Sequence, residues 1–335
     1  MKLIVLFFLL FSFMHADDLL QEESSYELGE GVKIGSLPLY LGGYFSLDYQ
    51  QQNDEKRYRL DDIALLAYGS YSKFSYLTEL EYKEFYTYTQ DSNSTMVEQD
   101  THLHIERLFV DYNYNENYML KLGKFNSQVG FWNLLPINVL RDTSSNPLST
   151  EIIFPRFTTG VYGAYTSYDS GELKFDLTLQ NNDDLDANYN NYTIDKHYAL
   201  GLTYSQDFLE LKLNVGVFDN YIVNNTLQEL YYFLASLQYE TQDYKIMAEV
   251  GTQKSDERFI TPYAGYIQGL YNITPKHAAI IRLESYEDRM TRLEDSFAIF
   301  AWTYRPLYPV AWKVSYQVHS MKSANKFLFS WSVLF

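Results

Sequence analysis

Near its end the chain reads Val310-Ala311-Trp312-Lys313-Val314-Ser315-Tyr316-Gln317-Val318-His319, and it closes on Phe327-Leu328-Phe329-Ser330-Trp331-Ser332-Val333-Leu334-Phe335. In the first run Val310, Trp312, Val314, Tyr316 and Val318 alternate with Ala311, Lys313, Ser315, Gln317 and His319. A period of two places each set on its own face of a β-strand, one face apolar and the other mostly polar. In the second run Phe327, Phe329, Trp331, Val333 and Phe335 share a face, and the chain stops on the aromatic.

Working upstream, the same pattern recurs. Leu173, Phe175, Leu177 and Leu179 alternate with Lys174, Asp176, Thr178 and Gln180. Leu209, Leu211, Leu213, Val215 and Val217 alternate with Glu210, Lys212, Asn214 and Gly216. No stretch carries a 3.6-residue apolar stripe of helical length. The whole chain divides into about 16 strands by this criterion. They fall near 38–50, 57–71, 73–88, 102–114, 117–126, 157–168, 172–181, 196–206, 208–219, 229–240, 243–254, 258–272, 276–287, 295–305, 309–320 and 325–335. The second and twelfth alternate poorly.

Every second link is tight: Ser72-Lys73, Asn115-Glu116, Asp169-Ser170-Gly171, Gln206-Asp207, Gln242-Asp243, Thr274-Pro275 and Pro306-Leu307. The links between them, 50–57, 89–101, 127–156, 182–195, 219–228 and 287–294, are mostly longer and polar. Loops sorted by end are the mark of a transmembrane barrel, with short periplasmic turns and longer outer loops. Size then decides which face is wet. Side chains can fill a barrel of roughly 8 strands, but one twice that size would enclose a hole. The apolar face must therefore meet lipid and the polar face must line water, with closure pairing every backbone group. The expected fold is all-β, a closed antiparallel transmembrane β-barrel.

The N-terminus carries an export pattern. Lys2 precedes an apolar run from Leu3 to Phe13, and Ala16 offers a small residue at the cut before Asp17. Residues 1–16 read as a signal peptide, 17–37 as a short periplasmic segment, and 38–335 as the barrel. No later stretch reaches the ~18 apolar residues of a membrane helix. With no cysteine, disulfides and thiolate metal sites are excluded. The 33 Tyr and 22 Phe suit membrane interfaces, where one end of a side chain is dry and the other wet. A net charge of −17 argues against phosphate neutralisation, so no nucleic-acid partner is expected.

The signal, the alternating strands and the ending Ser330-Trp331-Ser332-Val333-Leu334-Phe335 together resemble the outer-membrane porins over nearly the whole chain. The segments Val129-Gly130-Phe131-Trp132-Asn133, Leu140 to Pro147 and Phe154-Pro155-Arg156-Phe157 are similar to porin-like barrels distantly akin to phosphate-selective porins. This resemblance implies that Phe335 is the signal read by the barrel-assembly machinery. It also implies a homotrimer, lipid and lipopolysaccharide as partners, and a third outer loop folded into the lumen.

That loop is 127–156, the longest, and it is apolar at Val129, Phe131, Trp132, Leu134, Leu135, Ile137, Val139 and Leu140. An apolar loop has to pack on something. Its charges, Arg141, Asp142, Glu151 and Arg156, are the expected pore constriction, where opposite signs across a narrow passage set a transverse field. Expected lining residues on the strands are Glu79, Glu81, Lys83, Arg107, Asp111, Lys121, Lys174, Asp176, Glu210, Lys212, Lys245, Glu249, Arg282, Glu284 and Lys313. The mixed signs depart from the cationic ladder that an anion pathway needs, so a weakly cation-preferring diffusion pore is expected. A substrate-specific channel for an anion or small organic solute is the alternative.

Most of the acidic excess falls in outer loops, for example Asp183, Asp184 and Asp186, which read as solvated. Asp100, His102, His104 and Glu106 alternate onto one face, with oxygen and imidazole ligands that could hold zinc; the plainer reading is a polar strand extension. No metal and no cofactor is expected. A barrel hydrolase needs a nucleophile–base pair or an acidic dyad with a histidine. The remaining histidines, His102, His104, His197, His277 and His319, stand in no recognisable catalytic pattern, so no enzyme is expected.

Overall fold

The computed structural model describes residues 26–169, 171–222 and 226–335. The expected signal at 1–16, and the start of the 17–37 segment, lie outside the described residues. Sixteen long strands form one antiparallel sheet. In chain order they are β1 (Tyr40–Gln52), β2 (Glu55–Tyr71), β3 (Phe74–Gln90), β4 (His104–Asn113), β5 (Tyr118–Asn126) and β6 (Phe157–Ser167). Next come β7 (Glu172–Asn181), β8 (Lys196–Gln206), β9 (Leu209–Ile222), β10 (Thr226–Glu240) and β11 (Tyr244–Lys254). The last five are β12 (Phe259–Thr274), β13 (His277–Asp288), β14 (Leu293–Leu307), β15 (Val310–His319) and β16 (Lys326–Leu334). Each strand pairs with its chain neighbours, as hairpin connections require.

The sheet closes on itself where β16 pairs with β1, from Lys326 opposite Gln52 to Leu334 opposite Tyr44. Phe335 completes the seam: its N–H donates to Gly43 O and its carbonyl accepts from Gly43 N, both at 2.8 Å. Closure leaves no unpaired edge, which is what a sheet surrounded by hydrocarbon demands. Two short strands before the barrel, Tyr26–Glu27 and Gly31–Lys33, pair with each other, and the second continues onto β1.

The alternation turns out as the sequence implies. On β7, Phe175, Leu177 and Leu179 face outward and exposed while Asp176, Thr178 and Gln180 are buried inside. On β9, Leu211, Leu213 and Val215 face out and Lys212 and Asn214 face in. On β15, Trp312, Tyr316 and Val318 face out, and Lys313, Ser315 and Gln317 face in. Exposed Tyr71, Phe74, Tyr114, Tyr118, Tyr168, Phe208, Tyr244, Tyr271 and Tyr308 ring the tight-turn end. Such a girdle marks one interface of an apolar band.

The loops need correction. Among the described residues, only 91–103, 127–156 and 182–195 are long links. The expected loop at 50–57 is a turn at residues 53–54, with Asn53 at φ 52°. Likewise, strand pairing runs to residues 254 and 259 on one hairpin and to 288 and 293 on the next. These hairpins continue pairing beyond the apolar band, because paired backbone is as well satisfied in water as in lipid.

Candidate functional site

The lumen is not an open cylinder. Loop 127–156 leaves β5, crosses the interior and lies along the far wall. Val129, Ile153 and Phe154 are buried against Phe218, Leu230, Leu234, Ile260 and Ala264. Phe131 and Trp132 pack on Met247 and Tyr266. Ile137 and Val139 pack on Tyr44, Ala64, Leu66, Ala311 and Leu334. Burying each of the loop's large aliphatic and phenylalanine side chains is worth about 1.5–3 kcal/mol, which holds the loop inside the barrel.

Polar side chains of the wall fix the loop backbone. Glu249 accepts from the N–H groups of Phe131 and Trp132. Lys212 Nζ donates to Gly130 O at 3.0 Å, and Lys313 Nζ to both Asn138 O and, at 2.9 Å, Asn138 Oδ1. Arg282 donates to Thr143 Oγ1 at 2.9 Å, Ser145 O at 3.0 Å and Ser145 Oγ at 2.8 Å. Glu284 accepts from Leu148 N at 3.0 Å. Gly130 sits at φ +68°, and a Cβ there would lie 2.7 Å from Glu249 Oε1. Only glycine accepts that conformation freely and fits that approach.

This arrangement sorts the expected lining residues by burial. All face inward, but Lys212, Glu249, Arg282, Glu284 and Lys313 lie buried beneath the loop and anchor it. Lys83, Lys174, Glu210 and Lys245 keep solvent contact, as do Asp111 and Arg107 in part. Asp111 pairs with Lys121 at 3.0 Å, and Arg107 pairs with Glu79. Asp176 is buried with one carboxylate oxygen unpaired.

The four loop charges do not form one ring. Arg141 donates to carbonyls of its own loop, Leu135 O at 2.8 Å and Pro136 O. Asp142 accepts from Gln268 at 3.1 Å, with Lys245 at 3.8 Å. Farther along, Glu151 and Arg156 pair with each other at 3.5 Å. Of the four, Glu151 and Arg156 pair with each other, whereas Arg141 is taken up by loop carbonyls and Asp142 by wall residues.

A second loop, 182–195, also enters the barrel, which its acidic run did not suggest. Asp184 pairs with Lys124 at 2.9 Å with both side chains fully enclosed. Asp186 accepts from Ile105 N at 3.0 Å and meets His104 Nδ1 at 3.0 Å. Tyr189 donates to Glu81, with Lys83 Nζ 5.2 Å from its ring. Of this run, Asp183 alone stays exposed. The expected grouping of Asp100, His102, His104 and Glu106 loses Glu106, while Asp100 stays beside His102 at 3.0 Å and His104 at 3.4 Å. His102 is 85 % exposed and turns to Asp100, while Glu106 faces the lumen and accepts from Tyr44 at 3.0 Å. Among the described residues no set of three such groups is arranged to hold a metal.

The inner wall taken as a whole, residues beneath the loop included, is biased by sign. On β1–β4, Asp48, Asp61, Asp62, Glu79, Glu81, Glu84 and Glu106 outnumber Arg57, Arg59, Lys83 and Arg107. Arg59 bridges Glu84 at 3.1 Å and Asp48 at 3.3 Å. On β13–β16, Arg282, Arg305, Lys313 and Lys326 outnumber Glu284 and Asp295. At the outer rim His319 meets Asp295 at 2.7 Å, and Ser320 donates to the same carboxylate. Asp295 thus stands between serine and histidine, the wrong order for a histidine to take the serine proton.

No family model and no curated protein matches the chain. Solved structures do. The outer-membrane channel DcaP of Acinetobacter baumannii is 12% identical, with 89% of this chain and 97% of that one covered and a TM-score of 0.57. Salmonella typhi OmpF, solved with daunomycin, is 10% identical, covering 93% and 100%, at 0.60. An anion-selective porin from Comamonas acidovorans is 8% identical, covering 89% and 99%, at 0.58. The architecture is that of the outer-membrane porins, a closed barrel of sixteen antiparallel strands.

Proposed function

We propose that the protein is a passive diffusion channel in the outer membrane of a Gram-negative bacterium, carrying small hydrophilic solutes and ions with a weak preference for cations. The observation that carries this reading is a charged inner wall, sorted by sign, inside an apolar-coated closed barrel narrowed by two inward loops. A transverse field orders water and raises the cost of passing an apolar solute. The carboxylate-rich β1–β4 wall supports the cation preference. Arg141, Asp142 and the Glu151–Arg156 pair tune the passage, and the solvent-touching Lys83, Lys174, Glu210 and Lys245 line its approaches. We read the chain as a channel and not a hydrolase. Its outer wall fits lipid and lipopolysaccharide, Phe335 fits the barrel-assembly signal, and residues 17–37 fit a short periplasmic lead-in after signal removal at 16. A homotrimer, testable by cross-linking in native membranes, completes the reading.

Liposome swelling tests the passage itself. Vesicles holding the protein should swell in small sugars and progressively less in larger ones. Equal swelling with and without protein would refute the reading.

A further inference from the structure

We propose that a cavity at the tight-turn mouth of the barrel is a binding subsite for a small zwitterion of amino-acid type. The proposal rests on reading the lumen as a passage and names a class of solute for it. The cavity encloses about 150 Å3 between loop 127–156 and strands β10–β14. Its charged lining is Asp142, Glu240, Lys245, Lys276 and Arg305, with Asn272 and Thr303 between them. Leu270 and Ala278 add an apolar wall.

The mixture of charges selects the ligand. Lys245 Nζ lies 3.8 Å from Asp142 and 3.7 Å from Glu240, too far for a hydrogen bond to either. Among the described residues its ammonium donates to no closer acceptor. Arg305 is held rigid by the carbonyls of Val139 and Arg141, so its charge is fixed in place. Asp142 uses one oxygen on Gln268, and Glu240 uses one on Gln238 at 3.2 Å; the other oxygen of each accepts no hydrogen bond among the described residues. A lone anion here faces two carboxylates, and a lone cation faces Lys245, Lys276 and Arg305. A molecule carrying both charges satisfies each set at once, with its carboxylate toward Lys245 and its ammonium toward Asp142 and Glu240. A cavity of this size admits a molecule of about six non-hydrogen atoms, and alanine has that many.

The test uses purified full-length protein in detergent and saturation-transfer NMR, a readout independent of conductance. Alanine should bind about tenfold more tightly than either propionate or ethylamine, each lacking one charge-assisted contact. Lys245→Gln and Glu240→Gln should each weaken alanine about tenfold, and Arg57→Gln, at the opposite mouth, should leave it unchanged. Folding of each variant is checked by far-UV circular dichroism. Alanine binding no tighter than propionate and ethylamine, or unaffected by both variants, overturns the proposal. Alanine binding by protein that fails to conduct supports this subsite while refuting the diffusion reading.

Discussion

Lys124 on β5 and Asp184 on loop 182–195 form an ion pair 2.9 Å long with neither side chain reaching solvent. An aspartate in an acidic run thus serves as the pin that holds a loop inside the barrel. Removing one partner leaves a buried, uncompensated charge, which costs about 3–5 kcal/mol. Asp184→Asn is therefore expected to free the loop. Limited proteolysis should then cut within 182–195, and single-channel conductance should rise. Unchanged cleavage and conductance would show that the loop is held by other means.

Loop 127–156 gives a second test. Arg282→Gln removes three hydrogen bonds to Thr143 and Ser145 and strands Glu284, its ion-pair partner at 2.7 Å. Gly130→Ala forces a Cβ toward Glu249 at positive φ. Both variants should give larger, noisier current steps than the parent protein. Steps of parental size and quietness would contradict the anchoring.

How much of this was legible depended on what period two could encode. Strands such as β7 and β9 read cleanly because lipid lies on one side and polar lumen on the other. The second and twelfth strands alternate poorly for a reason the structure supplies: Ala64 and Leu66 on β2, and Ile260, Ala264 and Tyr266 on β12, are the docking floor for loop 127–156. A strand apolar on both faces marks where a loop lands. The apolar content of that loop announced its inward fold, whereas Asp184 and Asp186 looked solvated because their partners, Lys124 and His104, are 60 or more residues distant in sequence. Pairings of that range leave no local signature.

The facing of the wall can be checked by substitution. Leu213, mid-strand on β9 and 45% exposed, is expected to contact acyl chains. Leu213→Arg should cost about 2–4 kcal/mol at the bilayer midplane, measured by urea unfolding in lipid vesicles, with Leu213→Phe close to neutral. An arginine tolerated there would place this face in water.

Phe335 separates closure from recognition. Phe335→Ala keeps both backbone bonds to Gly43 and loses only the ring. It is expected to refold normally in detergent and to assemble poorly in cells. Deleting residue 335 removes the bonds as well and should slow refolding too. Normal assembly of Phe335→Ala in cells would exclude the signal role.

The most direct measurement is current through single molecules in a planar lipid bilayer under a tenfold salt gradient. A water-filled, carboxylate-biased bore should give discrete ohmic steps that scale with bulk salt and a reversal potential of cation-selective sign. A silent bilayer, or a strongly anion-selective potential, would contradict this account.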